Sequence, residues 1–173
     1  MDVNEILCVL LIAVFFIRIQ IYFVSKKNEK ILLKMGGREY YRDLTNCLLV
    51  MHSLYYLFSI VEGCLRDIQL DTICFFGILT TTTSYLISLK VMNKVGKYWT
   101  IRLIFADSSI ITTYWLFKYT KYQNYFFNMI TELFGITLIF RSWLTMILFI
   151  CPYSICLYMR KEKENLLINN LRE

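Results

Sequence analysis

The chain has 173 residues, 57% of them apolar and 17% aromatic, with a single proline and a formal net charge of +6. So much apolar surface excludes a soluble domain of this size and points to one membrane domain over residues 1–173. The positive charge does not indicate a nucleic-acid partner, because the lysines and arginines gather at the ends of apolar runs and form no separate basic patch.

The first apolar run, Ile6 to Val24, has the length of a span, since about 20 helical residues cross a hydrocarbon core of about 30 Å. It does not read as a cleaved leader: Asp2 and Glu5 stand where a basic start belongs, and no small-residue cleavage site follows. Arg18 lies inside it and is expected either to snorkel or to pair with Glu62. Residues 25–43 form a basic interfacial segment in which Ile31, Leu32 and Met35 recur at near-helical spacing before a turn at Gly36 and Gly37.

The second span is expected from Leu44 to Leu65. Within it His52 reads as a packed, hydrogen-bonded helix residue, and Glu62 is open to two readings, an ion pair with Arg66 one turn on or a functional carboxylate. Arg66 and Asp67 mark a short outer turn. The third span, Leu70 to Leu89, carries Thr80 to Thr83, small hydroxylated residues that let helices approach closely in lipid.

Residues 93–125 are long for a connector, which favours a functional segment. They include Gly96, Trp99 and Thr100, and end in the aromatic, basic run Lys118 to Tyr125. From Phe126 to Met159 two apolar arms flank Arg141 and Ser142, which predicts a helical hairpin. Its first arm, to Phe140, is about 22 Å long at 1.5 Å per residue and must tilt, start earlier or penetrate partway. Asn128 is open to two readings, a cap on that arm, which is preferred, or a residue that extends a ligand pocket. The tail, residues 160–173, is again basic. The expected fold is therefore an all-α integral membrane protein of about five transmembrane helices, the last two a hairpin. Basic residues in the three segments outside the spans place the N-terminus outside and the C-terminus in the cytoplasm.

Six cysteines, Cys8, Cys47, Cys64, Cys74, Cys151 and Cys156, lie within or at the ends of apolar runs and read as small hydrophobes. Cys151 and Cys156 fall on different helix faces and His52 is the lone imidazole, so no metal site is expected.

Several short motifs, taken in order, resemble the small bacterial members of the isoprenylcysteine carboxyl methyltransferase family. They are Ser25 to Lys30, Leu32 and Leu33, Gly37, Glu39 and Tyr40, His52 to Leu54, Val61 and Glu62, Trp99 and Thr100, Arg102 to Ile104, Glu132 to Phe140, and Trp143 to Thr145. The resemblance covers most of the chain. It implies a polytopic methyltransferase of the bacterial cytoplasmic membrane that uses S-adenosylmethionine. The family's Arg-His-Pro triplet falls on Lys121, Tyr122 and Gln123, followed by a retained Asn124 and Tyr125. Phe127 stands at a family glycine, Trp115 and Phe117 stand at a glycine and a tyrosine, and Asp107 and Ser108 replace a Pro-Gly pair. The family's C-terminal Arg and paired glutamates fall on Arg160, Glu162 and Glu164, and which glutamate matches which position stays open.

Methyl transfer from a sulfonium is an in-line displacement, so the protein mainly aligns donor and acceptor. By the resemblance, Tyr119, Tyr122 and Tyr125 offer aromatic faces to the sulfonium, with Gln123 and Asn124 beside them. Lys121 or Arg160 meets the cofactor carboxylate, and Glu162 or Glu164 meets its ammonium or ribose. Replacing Arg by Lys121 loses a planar fork, and Tyr122 cannot titrate as an imidazole does. Taken singly, Lys118, Tyr119, Lys121 and Tyr122 are also ordinary interfacial anchors. The implied partners are the bilayer and a lipophilic acceptor, either a prenylcysteine-type carboxylate or a hydroxyl on a long-chain aromatic or pyrone. For the hydroxyl, Glu132 or Glu164 is the candidate general base. The altered triplet keeps open a second reading, a catalytically inactive descendant acting as a membrane scaffold. A transporter is disfavoured by the absence of internal duplication.

Overall fold

The computed structural model describes residues 3–66, 68, 70–105 and 128–170. In chain order these form α1 (Val3–Lys34), β1 (Arg38–Tyr40), α2 (Arg42–Cys64), α3 (Thr72–Val95) with a closing 3-10 turn at Gly96–Tyr98, β2 (Leu103–Phe105), α4 (Met129–Phe140) and α5 (Trp143–Asn170). The all-helical expectation holds. Three of the described helical segments, Arg42–Cys64, Thr72–Tyr98 and Trp143–Leu167, are long and apolar enough to cross a membrane, and α4 is a shorter apolar helix. At 12 residues α4 is about 18 Å long.

The first helix is longer than its apolar run. It continues without a break through residues 25–34, because no glycine or proline interrupts a sequence of good helix formers until Gly36, whose φ of +85° ends it. At 32 residues α1 is about 48 Å long, so its basic third extends well past a single apolar span. The strands β1 and β2 then pair antiparallel, Glu39 opposite Ile104, tying the chain after α1 to the chain after α3.

Close approach of α3 and α4 rests on two glycines. A Cβ on Gly77 would lie 2.8 Å from the Ile139 amide nitrogen, and one on Gly135 would collide with the Thr81 side chain and lie 2.9 Å from its backbone nitrogen. Thr80 and Thr81 turn their hydroxyls back onto Gly77 O, at 2.9 and 2.8 Å, so these polar groups are satisfied within α3 at the contact. The core formed by α2, α3, α4 and α5 contains Leu48, Tyr55, Cys74, Leu133, Ile136, Ile139, Phe140, Tyr153 and Leu157. A second cluster, Ile21, Tyr85, Met92 and Trp99, holds α1 against α3 and the 3-10 turn. Large apolar residues such as Phe15, Phe23, Phe75 and Ile147 face outward, as a bilayer allows.

The α4–α5 hairpin turns at Arg141, which adopts the left-handed conformation with φ 51°, while Ser142 N–H donates to Thr137 O at 3.1 Å. Two carboxylates secure this end of the bundle. Asp71 caps α3 by accepting from Cys74 N–H at 3.0 Å and pairs with Arg141. That backbone hydrogen bond, and after it the Arg141 charge, hold the Asp71 carboxyl below the ordinary carboxylate range. Glu62 pairs with Arg66 at 3.0 Å and also accepts from Leu144 N–H at 3.2 Å, Thr145 N–H at 2.9 Å and the Thr145 hydroxyl at 2.9 Å. A carboxylate of α2 thus supplies the N-terminal capping of α5.

Candidate functional site

Glu132, in the first turn of α4, has no solvent exposure. Three helices converge on its carboxylate. Arg18 of α1 forms an ion pair with it, Tyr56 of α2 donates to Oε1, and Tyr85 of α3 donates to the same oxygen at 3.2 Å. The two phenol oxygens are 3.1 Å apart, and the Arg18 guanidinium carbon sits 5.5 Å from the Tyr85 ring centroid, within cation–π range. A lone carboxylate or guanidinium at this depth costs several kcal/mol, and mutual pairing with two phenols offsets that cost. Arg18 therefore pairs with Glu132 and not with Glu62, which is committed to the other end of the bundle.

His52 lies one turn before Tyr56, so both side chains leave the same face of α2. Its Nδ1 is 3.0 Å from the Tyr153 hydroxyl of α5, which donates its proton to Met129 Sδ at 3.3 Å. In the tautomer in which the phenol proton goes to Met129, the imidazole donates from Nδ1 and carries its lone pair at Nε2. Nε2 is 3.8 Å from Glu132 Oε1, beyond hydrogen-bonding range, and is buried without a hydrogen-bond partner among the described residues, as is Arg18 Nε.

Beside this network is a cavity of about 410 Å³, bordered by Arg18, His52, Ser88, Asn128 and Glu132 and otherwise mostly apolar, with Val14, Leu49, Ile60, Trp99 and Met129 in its wall. Its size suits a small organic ligand. Phe15 and Tyr22 of α1 and Ser53 and Leu57 of α2 line it while also exposed on the outside of the bundle, so among the described residues it opens sideways between α1 and α2. Val14 and Tyr56 also border a smaller cavity of about 110 Å³ on the α3 and α4 side of α1. Asn128 stands at the N-cap position of α4, but its side chain makes no capping hydrogen bond. Its Oδ1 accepts from the Ser84 hydroxyl at 2.8 Å and its Nδ2 donates to Ser88, so it braces α4 against α3 at the cavity wall.

At the basic end, the segment after the 3-10 turn is clamped in place. Asn28 Nδ2 donates to Trp99 O at 2.7 Å and Gly96 O at 3.1 Å, Ile101 N–H donates to Ser25 Oγ at 2.9 Å, and Arg102 pairs with Glu39 at 2.7 Å. Arg160 of α5 donates to Ile101 O. Because Trp99 and Ile101 line the cavity, these bonds define its basic rim. Arg160 and Glu164, four residues apart, are both buried on the face of α5 that carries Leu157 and Leu167, whereas Glu162 is exposed. Of the residues singled out from the sequence, Glu132 joins the buried network, and Arg160 and Glu164 share the rim side of α5. Tyr119, Lys121, Tyr122, Gln123, Asn124 and Tyr125 lie outside the described residues. Arg18, His52, Tyr56 and Tyr85 are the site residues that the sequence reading did not bring together.

The model of the isoprenylcysteine carboxyl methyltransferase (ICMT) family matches residues 76–170, more than half of the chain. An uncharacterized protein of Haemophilus influenzae is 24% identical over 148 residues, covering 86% of both chains. The uncharacterized protein YpbQ of Bacillus subtilis is 25% identical over 143 residues, covering 82% of this chain and 84% of its own. No solved structure gives a significant match. The matched region carries Tyr85, Ser88, Trp99, Asn128, Glu132, Arg160 and Glu164, and with it the chain belongs to the ICMT family.

Proposed function

We propose that the protein is a membrane-embedded, S-adenosylmethionine-dependent O-methyltransferase that takes a lipophilic acceptor into the α1–α2 cavity and its cofactor at the basic rim. The observation that carries this reading is the cavity itself. It is apolar and open toward lipid on one side, and is bounded on the other by a clamped segment against which Arg160 is bonded and near which Glu164 is buried on the same helix face. A lipophilic chain partitions into such a space from the bilayer, while a charged cofactor is met at the end where charges are held.

The donor set suits the cofactor. Arg160 offers a fork to its carboxylate, Glu164 an acceptor to its ammonium or ribose, and Trp99 an aromatic face, joined by Tyr119, Lys121, Tyr122, Asn124 and Tyr125 from the segment outside the described residues. Glu162 is exposed on another face of α5, which favours Glu164 for this role. When bound, the cofactor supplies an electrophilic methyl group. The chain's own task is to align the acceptor, keep water from the apolar space and hold the acceptor's polar head, which can supply up to about 7 to 11 kcal/mol of the barrier by positioning alone. The basic residues on the rim side support a cytoplasmic position for that end. The acceptor is a prenylcysteine-type carboxylate or a long-chain hydroxyl.

A second reading, an inactive family member serving as a scaffold, draws on the altered triplet Lys121, Tyr122 and Gln123. Calorimetry with S-adenosylmethionine on the protein in nanodiscs separates the two. Binding that Arg160→Ala, Lys121→Ala or Tyr125→Ala weakens supports the enzyme, and no heat across a broad concentration range supports the scaffold.

A further inference from the structure

The network beside the cavity holds a proton-accepting nitrogen that neither the fold nor the proposed cofactor site uses. His52 lines the cavity with its Nδ1 3.0 Å from the Tyr153 hydroxyl, and in the tautomer that donates there its buried Nε2 carries a lone pair with no hydrogen-bond partner among the described residues. A buried acceptor without a partner is costly, and a ligand O–H removes that cost. The groups around it are Arg18 from α1, Tyr56 from α2, Tyr85 from α3, Glu132 from α4 and Tyr153 from α5. Of these, Arg18 and Glu132 already neutralise each other. Among these described groups no further cation is left to match an arriving ionised carboxylate, whereas a neutral hydroxyl needs none.

We infer that His52 is a catalytic residue, the proton acceptor for a neutral lipophilic phenol or enol seated in the cavity with its chain leaving between α1 and α2. This rests on the methyltransferase reading for the methyl donor. As the acceptor oxygen forms its bond to the methyl carbon of a sulfonium donor, the carbon–sulfur bond breaks and sulfur leaves with the electron pair as a neutral thioether. The acceptor's O–H proton passes to His52 Nε2. The resulting imidazolium lies 3.8 Å from the Glu132 carboxylate, which stabilises it, and the proton returns to water after the product departs. A carboxylate acceptor, already ionised, gives His52 no proton to take.

The test uses a 4-nitrophenol bearing a dodecyl chain, whose absorption moves to longer wavelength on ionisation, added without any methyl donor to the full chain in nanodiscs. The expected result is that the bound probe ionises at lower pH than in empty nanodiscs, and that His52→Gln binds it without that shift. Tyr153→Phe, which releases the Nδ1 proton from its fixed partner, reduces the shift and carries the test if His52→Gln does not fold. Equal ionisation in the wild type and both variants overturns the inference, as does displacement of the probe by dodecanoate more readily than by an uncharged long-chain phenol. With labelled S-adenosylmethionine, His52→Gln is expected to lower transfer to the phenol by about 10²- to 10⁴-fold. Unchanged transfer overturns the role of His52 alone. A shifted probe with no transfer in the wild type supports the hydroxyl site and counts against the methyltransferase reading.

Discussion

Arg18 and Glu132 illustrate how depth in the bilayer selects a partner. Arg18 lies six residues before Val24, near the basic end of its span, and Glu132 is in the first turn of α4 at that same end, whereas Glu62 is at the far end of α2. Counting residues from each span end would have paired Arg18 with Glu132 from the sequence. The competing assignment to Glu62 took account of charge sign and ignored depth. Breaking the pair leaves a buried charge alone, so Glu132→Ala is expected to lower stability by about 3 to 5 kcal/mol, while the double variant Arg18→Leu/Glu132→Gln recovers part of the loss. Thermal melts of the three proteins in one detergent test this, and equal melting of Glu132→Ala and the wild type would contradict it. Asp71 gives a pH signature at the opposite end. Its carboxyl titrates lower when folded than when unfolded, so its contribution is complete above the ordinary carboxylate range and is lost as pH falls through the depressed value. Asp71→Asn should melt lower than the wild type at neutral pH, and the difference should narrow in acid.

Among the elements, the spans and the hairpin turn were legible because apolar length and the interruption at Arg141 and Ser142 are local signals. The unbroken run of α1 through Lys34 was also written locally, in the lack of a breaker before Gly36, but a change from apolar to charged composition was read as a change of element. The pairing of β1 with β2 was not legible, since strands of three residues carry no periodicity and their partners lie more than sixty residues apart. The small residues of α3 were recognised as contact formers, but only the packed structure matches Gly77 and Gly135 to the crossing with α4. Gly77→Ala or Gly135→Ala pushes a methyl against backbone atoms and should cost about 1 to 3 kcal/mol, read as a lower melting temperature. The capping of α5 by Glu62 is a tertiary bond that no sequence spacing encodes. Glu62→Ala is expected to cost about 0.5 to 2 kcal/mol and to speed amide exchange in the first turn of α5 more than elsewhere, and uniform exchange along α5 would contradict that role.

For the whole molecule, the region that carries the family signal and the two helices before it wall one cavity. The ICMT match begins at residue 76, yet Arg18, His52, Tyr56 and the lipid-side opening come from α1 and α2, which precede it. Motif order in the sequence pointed to the rim, through Trp99, Arg160 and Glu164. The network of Arg18, His52, Tyr56, Tyr85 and Glu132 stayed hidden because its residues are spread over four helices and only packing assembles them. The direct test is label transfer from methyl-tritiated S-adenosylmethionine to a long-chain hydroxy-aromatic acceptor by the protein in nanodiscs, comparing the wild type with Ser53→Trp, which fills the gap between α1 and α2. The account predicts organic-soluble label with the wild type, and loss of that label in Ser53→Trp while calorimetry still detects the cofactor. Transfer undiminished by the blocked opening, or no transfer by wild-type protein that binds the cofactor, would contradict it.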